Sequence, residues 1–411
     1  MALDARRANE EDLQNLFTLI ALIRQQSEKQ YRQTESIPVV MITTLPPQKT
    51  WFERPLLGPL LALLSIALLF AVPVWLAWHI SDLLQPIADK FIIHPLSDVL
   101  ADTPAMVQSM LNGSYGLISL GLYSFIWAFP VVFLIGLSVA VTEDCGLKER
   151  IITSLDPLLG KIGLTGNDLV PILSGFGCNV VAVIQSRSCS TCTRKNCIST
   201  IAFGSACSYQ IGATLSIFSA AGHPAMFAPY LLTVFITACL HTRLWRIAPP
   251  LPPILASTQL TWLQFPRWRA VRWALENVIV QFLRQAMPLF LAICIIASFL
   301  DYFGVIETLC RIFSPGILYF HLPPEALPGI LFSLLRKDGL LILNQDSGNM
   351  LHSLNLMQLT MLVWISSTLM ACLVTITTIG REVSWRFAAS LVIKQALTSL
   401  LIAVLISFTM I

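Results

Sequence analysis

The chain has 411 residues, 55% of them hydrophobic and 12% charged, with a net charge of +3 and a mean hydropathy of +0.72. That balance excludes a soluble globular domain, and so small a net charge gives no sign of nucleic acid as a partner. Several windows exceed the ~20 apolar residues that a bilayer crossing needs, so the expected fold class is an all-α polytopic membrane protein. Ten cysteines, many inside apolar segments, do not read as a secreted disulfide framework.

Residues 1–50 are polar and lack a signal-peptide pattern, which predicts a cytoplasmic N-terminal segment. Within it, Glu10 to Gln33 predicts an amphipathic helix with Leu13, Leu16, Leu19, Leu22 and Ile23 on one face, and Ile37 to Met41 a short extended piece. Residues 51–115 hold a first span, Gly58 to Ile80, with Trp75 and Trp78 as interfacial anchors. An external loop follows, with Asp82, Asp89, Asp98 and Asp102 against the single Lys90.

Residues 116–248 form a unit. A span from Gly116 to Thr142 leads to a loop with Lys148, Arg150 and Lys161, which places that loop in the cytoplasm. Leu155 to Leu164 reads as a short interfacial helix. Leu169 to Ile184 is apolar but broken by Gly175 and Gly177, and the connector Arg187 to Cys197 is basic. A re-entrant hairpin keeps that connector cytoplasmic. Ile198 to Ala220 and Phe227 to Trp245 then cross. Residues 249–284 are a basic, tryptophan-rich cytoplasmic linker, expected as an amphipathic helix on the membrane surface.

Residues 285–411 repeat the order. Gln285 to Phe303 spans, Leu327 to Asn344 is broken at Arg336-Lys337-Asp338-Gly339, and Leu356 to Ile379 and Trp385 to Ile411 span. Opposite orientations for two such units are the hydropathy signature of an inverted repeat, a common transporter architecture.

The residues able to carry chemistry lie at the interruptions. Cys178 sits in the first broken element, in Gly175-Phe176-Gly177-Cys178-Asn179. Cys207 and Cys372 sit in the matching spans of the two units. Soft thiol ligands favour Fe(II), Zn(II) or Cu(I) over Mg(II) or Ca(II). Packing alone explains a single buried cysteine equally well. Backbone oxygens freed near Gly175 and Gly177, the Asn179 amide and the intramembrane Asp338 are further candidate ligands or gating groups. Cys189, Cys192 and Cys197 have the spacing of a small metal knuckle without a fourth ligand in line, and serve equally as an accessory metal site, a redox switch or a chance cluster. The sequence holds no GxxxxGK[ST] phosphate loop and no catalytic triad stands out, so no enzymatic activity is expected.

These blocks resemble a known family. Glu143-Asp144-Cys145-Gly146, Ile162 to Gly166, Gly175 to Val180 and Arg187 look like the first Gate region of FeoB-type ferrous iron transporters. Phe203 to Gly212 resembles that family's second cysteine motif. Arg336-Lys337-Asp338 and Met370 to Thr375, followed by Arg381-Glu382, resemble the second Gate region. The family's prolines stand here as Val181, Gly212 and Ala371, its arginine as Gln210, and its N-terminal GTPase domain has no counterpart in residues 1–50.

The resemblance implies two Gate-like repeats, 116–248 and 285–411, in a multi-pass inner-membrane protein with a cytoplasmic N-terminus. It implies a path for Fe(II) or another divalent transition metal, lined by Cys178, Cys207 and Cys372, with no intrinsic cofactor. The expected partners are membrane lipid, a second copy of the chain, and a separate GTPase or small cytoplasmic accessory protein. Two rivals stand beside this reading: a Gate-type transporter of another metal or a small organic anion, and a membrane metal sensor or partner subunit.

Overall fold

A computed structural model describes residues 50–100, 102–204, 206–246, 262–344 and 349–408. The helix expected at 10–33, the extended piece at 37–41 and the linker before residue 262 lie outside these. Among the described residues there are helices and no strand. Six helices of the described residues are long and apolar enough to cross a membrane, or seven counting one bent pair.

Helix α1 (Leu57–Ala88) is 32 residues long, about 48 Å at the usual rise, and overruns the predicted span. The overrun is polar yet helical because neighbouring helices satisfy it. Ser81 donates to the Ile126 carbonyl at 2.8 Å, Asp82 accepts from Ser219, and Gln85 accepts from the Trp127 indole at 2.8 Å. Its packing partner is α2 (Ser119–Asp144), which buries Trp127 and Ile135. A left-handed Gly146 (φ 77°) turns the chain into α3 (Leu147–Gly160). The helix expected at 155–164 therefore starts eight residues earlier and buries Arg150 against the α1 entrance.

The first broken element is α4 (Leu169–Gly175) and α5 (Asn179–Gln185), followed by the broken span α6 (Arg194–Gly204) and α7 (Ser208–Ala220), then α8 (Phe227–Leu244). The described part of the linker differs from a free surface helix. Helix α9 (Trp268–Gln281) packs along α2, with Val278 against Gly136, because Val271, Leu275 and Val278 form one apolar face. Trp273 is exposed on its other side, and Trp268 is exposed at its first residue. A π-helical turn at Phe282–Ala286 carries it into α10 (Met287–Tyr302). The crossing expected at 285–303 is a bent pair. At Gly304 (φ 68°) the chain turns into α11 (Val305–Leu318), and the helices meet at 82°.

The second broken element is α12 (Leu327–Leu335) with a 3-10 turn, Gly339–Asn344. The broken span α13 (Leu356–Thr368) and α14 (Leu373–Glu382) follows, then α15 (Trp385–Phe408). The two units pack alike: α4 lies on α6 as α12 lies on α13, and α6 on α8 as α13 on α15. They also exchange contacts, α5 packing on α14 and Gly339–Asn344 on α7.

The entrance to α1 is pinned by charge. Arg150 donates to Glu53 Oε1 at 2.6 Å and to the Thr50 hydroxyl at 2.8 Å, while Thr50 also bonds Glu53 Oε2. Burial alone would raise the Glu53 carboxyl, but the Thr50 hydrogen bonds and the Arg150 charge outweigh it and hold it below its usual range. A carboxyl depressed on folding stabilises the fold above its ordinary value near 4.5, and that contribution is lost as pH falls through the folded value. Glu53→Gln should cost about 1–3 kcal/mol. Thermal unfolding in detergent checks both parts: the deficit against wild type is full at neutral pH and shrinks in acid.

Candidate metal-conducting site at the broken helices

Each predicted thiol sits at the N-cap of a half-helix. Cys178 (φ −153°, ψ 121°) precedes α5, Cys207 (φ −63°, ψ 161°) precedes α7, and Cys372 (φ −60°, ψ 152°) precedes α14. All three have extended N-cap backbones, and none makes a side-chain cap bond. Cys207 and Cys372 occupy equivalent breaks of the two units. The Cys372 sulfur lies 3.0 Å from the Thr375 hydroxyl in the first turn of α14.

The first break touches the second directly. Gly177 carbonyl accepts from the Ser208 amide at 3.3 Å and the Ser208 hydroxyl at 2.8 Å, so this oxygen is committed to α7. Neither Gly175 nor Gly177 has a positive φ. The chain turns there through bonds from Gly177 and Cys178 amides to the Ser174 carbonyl. Phe70 of α1 packs on Phe176 with ring centroids 4.6 Å apart. Asn179 is buried, and its Oδ1 has no hydrogen-bond partner. An unsatisfied buried amide oxygen costs about 1–3 kcal/mol unless something occupies it.

The second broken element answers the predicted Arg336-Lys337-Asp338 interruption with a fully buried polar knot. Arg336 Nε and Nη2 reach Asp338 Oδ1 at 3.0 Å and Oδ2 at 3.1 Å, and Ser124 donates to Oδ2 at 2.8 Å. The Arg336 guanidinium also lies 4.5 Å over the Tyr209 ring. Asp338 is thus engaged on both oxygens by protein groups. The Lys337 ammonium donates to the Ser367 carbonyl at 2.6 Å, Met370 at 2.5 Å and, more weakly, Ser366 at 3.4 Å. Those are the open carbonyls where α13 stops. Lys337 also lies within electrostatic reach of Cys207 and Cys372. Gly339 is required here, because a Cβ would meet the Phe332–Ser333 backbone at 2.3–2.4 Å.

A latch joins the halves at the connector. Glu382, at the end of α14, accepts from Arg187 Nε at 2.7 Å and Nη2 at 2.5 Å, and from Arg194 at 3.2 Å. The knuckle residues separate. Cys189 and Cys197 are buried together with Asp168, while Cys192 is exposed. Among the described residues, Asp168, Cys189 and Cys197 are the group of three metal-ligand side chains with donor atoms within 4.8 Å of one another. Cys178, Cys207 and Cys372 do not reach that proximity. Asp168 is a candidate ligand that the cysteine spacing does not show, although Thr165-x-x-Asp168 is legible as a capping box.

The Gate family, described as nucleoside recognition, matches residues 125–221, which run from α2 through α7. The chain resembles the membrane core of FeoB. The Fe(2+) transporter FeoB of Leptospira biflexa is 28% identical over 148 residues, 34% of this chain and 21% of that one. That of Campylobacter jejuni is 34% identical over 68 residues, 16% of this chain and 11% of that one. A Fe(2+) transport protein A/FeoB fusion of Porphyromonas gingivalis is 22% identical over 178 residues, 42% of this chain and 21% of that protein. The matched stretch thus spans about a fifth of the first and third of these relatives, and less of the second. No solved structure matches.

Removing one partner of a buried ion pair typically costs about 3–5 kcal/mol. Asp338→Asn should therefore destabilise the fold on that scale, whereas Cys192→Ser at the exposed knuckle position should stay within about 0.5 kcal/mol of wild type. Thermal unfolding of the two variants in one detergent makes the comparison.

Proposed function

We propose that this chain conducts Fe(II), or a divalent transition metal of the same class, across an inner membrane with its N-terminal end in the cytoplasm. The ion passes along the seam between the two units. The observation that carries this reading is the placement of Cys178, Cys207 and Cys372, each at the start of a half-helix where a broken element interrupts the bilayer-crossing fold. Discontinuous helices supply ion sites in transporters because they free backbone groups at membrane depth. The partnerless Asn179 oxygen beside Cys178 adds a hard donor to the soft ones. Three thiols held apart suit sequential, weak binding better than a closed cage, and a conducting site must release its ion.

One observation favours a second reading. Arg336 is neutralised by Asp338, so Lys337 leaves one net positive charge in the seam, which suits a small organic anion. The two readings part at the cysteines, since an anion path has no use for thiol ligands.

Fe(II) uptake into proteoliposomes under a membrane potential separates them. Cys207→Ser should cut Fe(II) flux tenfold or more. Thiol ligation releases protons, so wild-type flux should rise with pH, and the Cys207→Ser residue of flux should rise less steeply. Equal flux and equal pH dependence in both proteins would remove the thiols from the mechanism.

A further inference from the structure

The conducting seam leaves one cluster of soft donors unused. Asp168, Cys189 and Cys197 come from three separate segments: the 3-10 turn before α4, the connector after α5, and the first turns of α6. Their donor atoms lie within 4.8 Å of one another, and all three residues are buried. Tetrahedral ligands at bond lengths of about 2.3 Å for sulfur and about 2.0 Å for oxygen stand roughly 3.5–3.8 Å apart. The donor separations therefore exceed ligating ones by no more than roughly 1.0–1.3 Å.

The carboxylate is already aimed. Asp168 Oδ2 accepts from the Thr165 amide at 2.7 Å and the Thr165 hydroxyl at 2.9 Å. Oδ1 accepts from the Thr193 hydroxyl at 2.9 Å. An ionised carboxylate has about four lone-pair positions, so Oδ1 retains one. Thr193 is itself fixed by Ser190, through its amide at 3.2 Å and between the hydroxyls at 2.8 Å. Hydrogen bonds of this kind orient a metal ligand from behind. The Cys197 sulfur points at the same turn, 3.7 Å from the Asp168 carbonyl.

We propose that Asp168, Cys189 and Cys197 form an exchangeable site for a borderline divalent metal of the Zn(II) class, separate from the conducting seam. Two thiolates and a carboxylate select such ions over Mg(II) and Ca(II). Three protein ligands leave a fourth position open, which distinguishes the site from a closed structural zinc centre. Its place gives it a consequence. Asp168 leads into α4, which runs to the Cys178 break, and Cys197 lies in α6, which runs to the Cys207 break. A bound ion staples the roots of those two helices together. The site itself does not depend on the transport reading.

Co(II) titration of the full-length protein in detergent tests this by absorption. Wild type should develop thiolate-to-Co(II) charge-transfer bands that Zn(II) displaces. Cys189→Ala and Cys197→Ala should each remove one equivalent of that signal, and Asp168→Asn should weaken it about tenfold or more. Cys192→Ser and the combined Cys178→Ser, Cys207→Ser, Cys372→Ser variant should retain that equivalent. Circular dichroism checks folding, and Cys189→Ala, at the connector, carries the test if Cys197→Ala does not fold. The proposal is overturned if wild type shows no such bands, if folded Cys189→Ala binds as many thiolate-ligated Co(II) equivalents as wild type, or if the folded triple variant loses the equivalent that Cys189→Ala removes.

Discussion

The Lys337 ammonium on the open end of α13 is the interaction on which the centre of this structure depends. A helix that stops at membrane depth leaves carbonyls that neither lipid nor water can satisfy. Here Ser366, Ser367 and Met370 turn theirs to one ammonium group, and the Ser333 hydroxyl supports the Ser366 oxygen at 3.1 Å. The lysine is held in place by its neighbours. Arg336 and Asp338 neutralise each other, Ser124 ties Asp338 to α2, and Gly339 allows the chain to fold back on α12. Each group is buried, so each is tolerable only while the others remain.

That arrangement makes the two broken elements chemically unlike although they are topologically alike. The first presents Cys178 and an unpartnered Asn179 oxygen, and the second presents a tethered cation. In the proposed path the metal would share a neighbourhood with Lys337, and like charges in a medium of low dielectric repel strongly. In that path the ammonium would compete with the ion for the α13 carbonyls it already holds. The Arg187 and Arg194 bonds to Glu382 couple the connector of one unit to the end of the other.

Much of this was legible in the sequence because the interruptions break strong hydropathy signals. A glycine pair, an Arg-Lys-Asp run and cysteines inside apolar stretches mark positions where a continuous helix fails. The bounds were less legible where polar residues are satisfied by tertiary partners, as Ser81, Asp82 and Gln85 are, so α1 runs on past the expected loop. The linker read as a surface helix from its arginines and tryptophans, yet its Val271–Leu275–Val278 face finds α2. Glycine also misled in part: Gly175 and Gly177 mark the break without adopting a left-handed backbone, whereas Gly339 is dictated by close approach. Spacing along the chain grouped Cys192 with Cys189 and Cys197. Folding replaced it with Asp168, whose separation from them in sequence gave no local signal.

Charge balance constrains how a thiol path with these residues can work. Adding a divalent ion to a buried site that already carries the Lys337 charge would place three positive charges where water is scarce, at a prohibitive solvation cost. Two thiols that each give up a proton as the ion arrives leave the total unchanged. One thiol and the Asn179 oxygen would leave it one unit higher. The separated thiols then acquire a physical meaning: an ion moving from the Cys178 break toward Cys207 and Cys372 hands protons back behind it as it takes them ahead. In such a path metal movement and proton movement are opposed and linked in number, so a proton gradient alone can bias the direction of the ion.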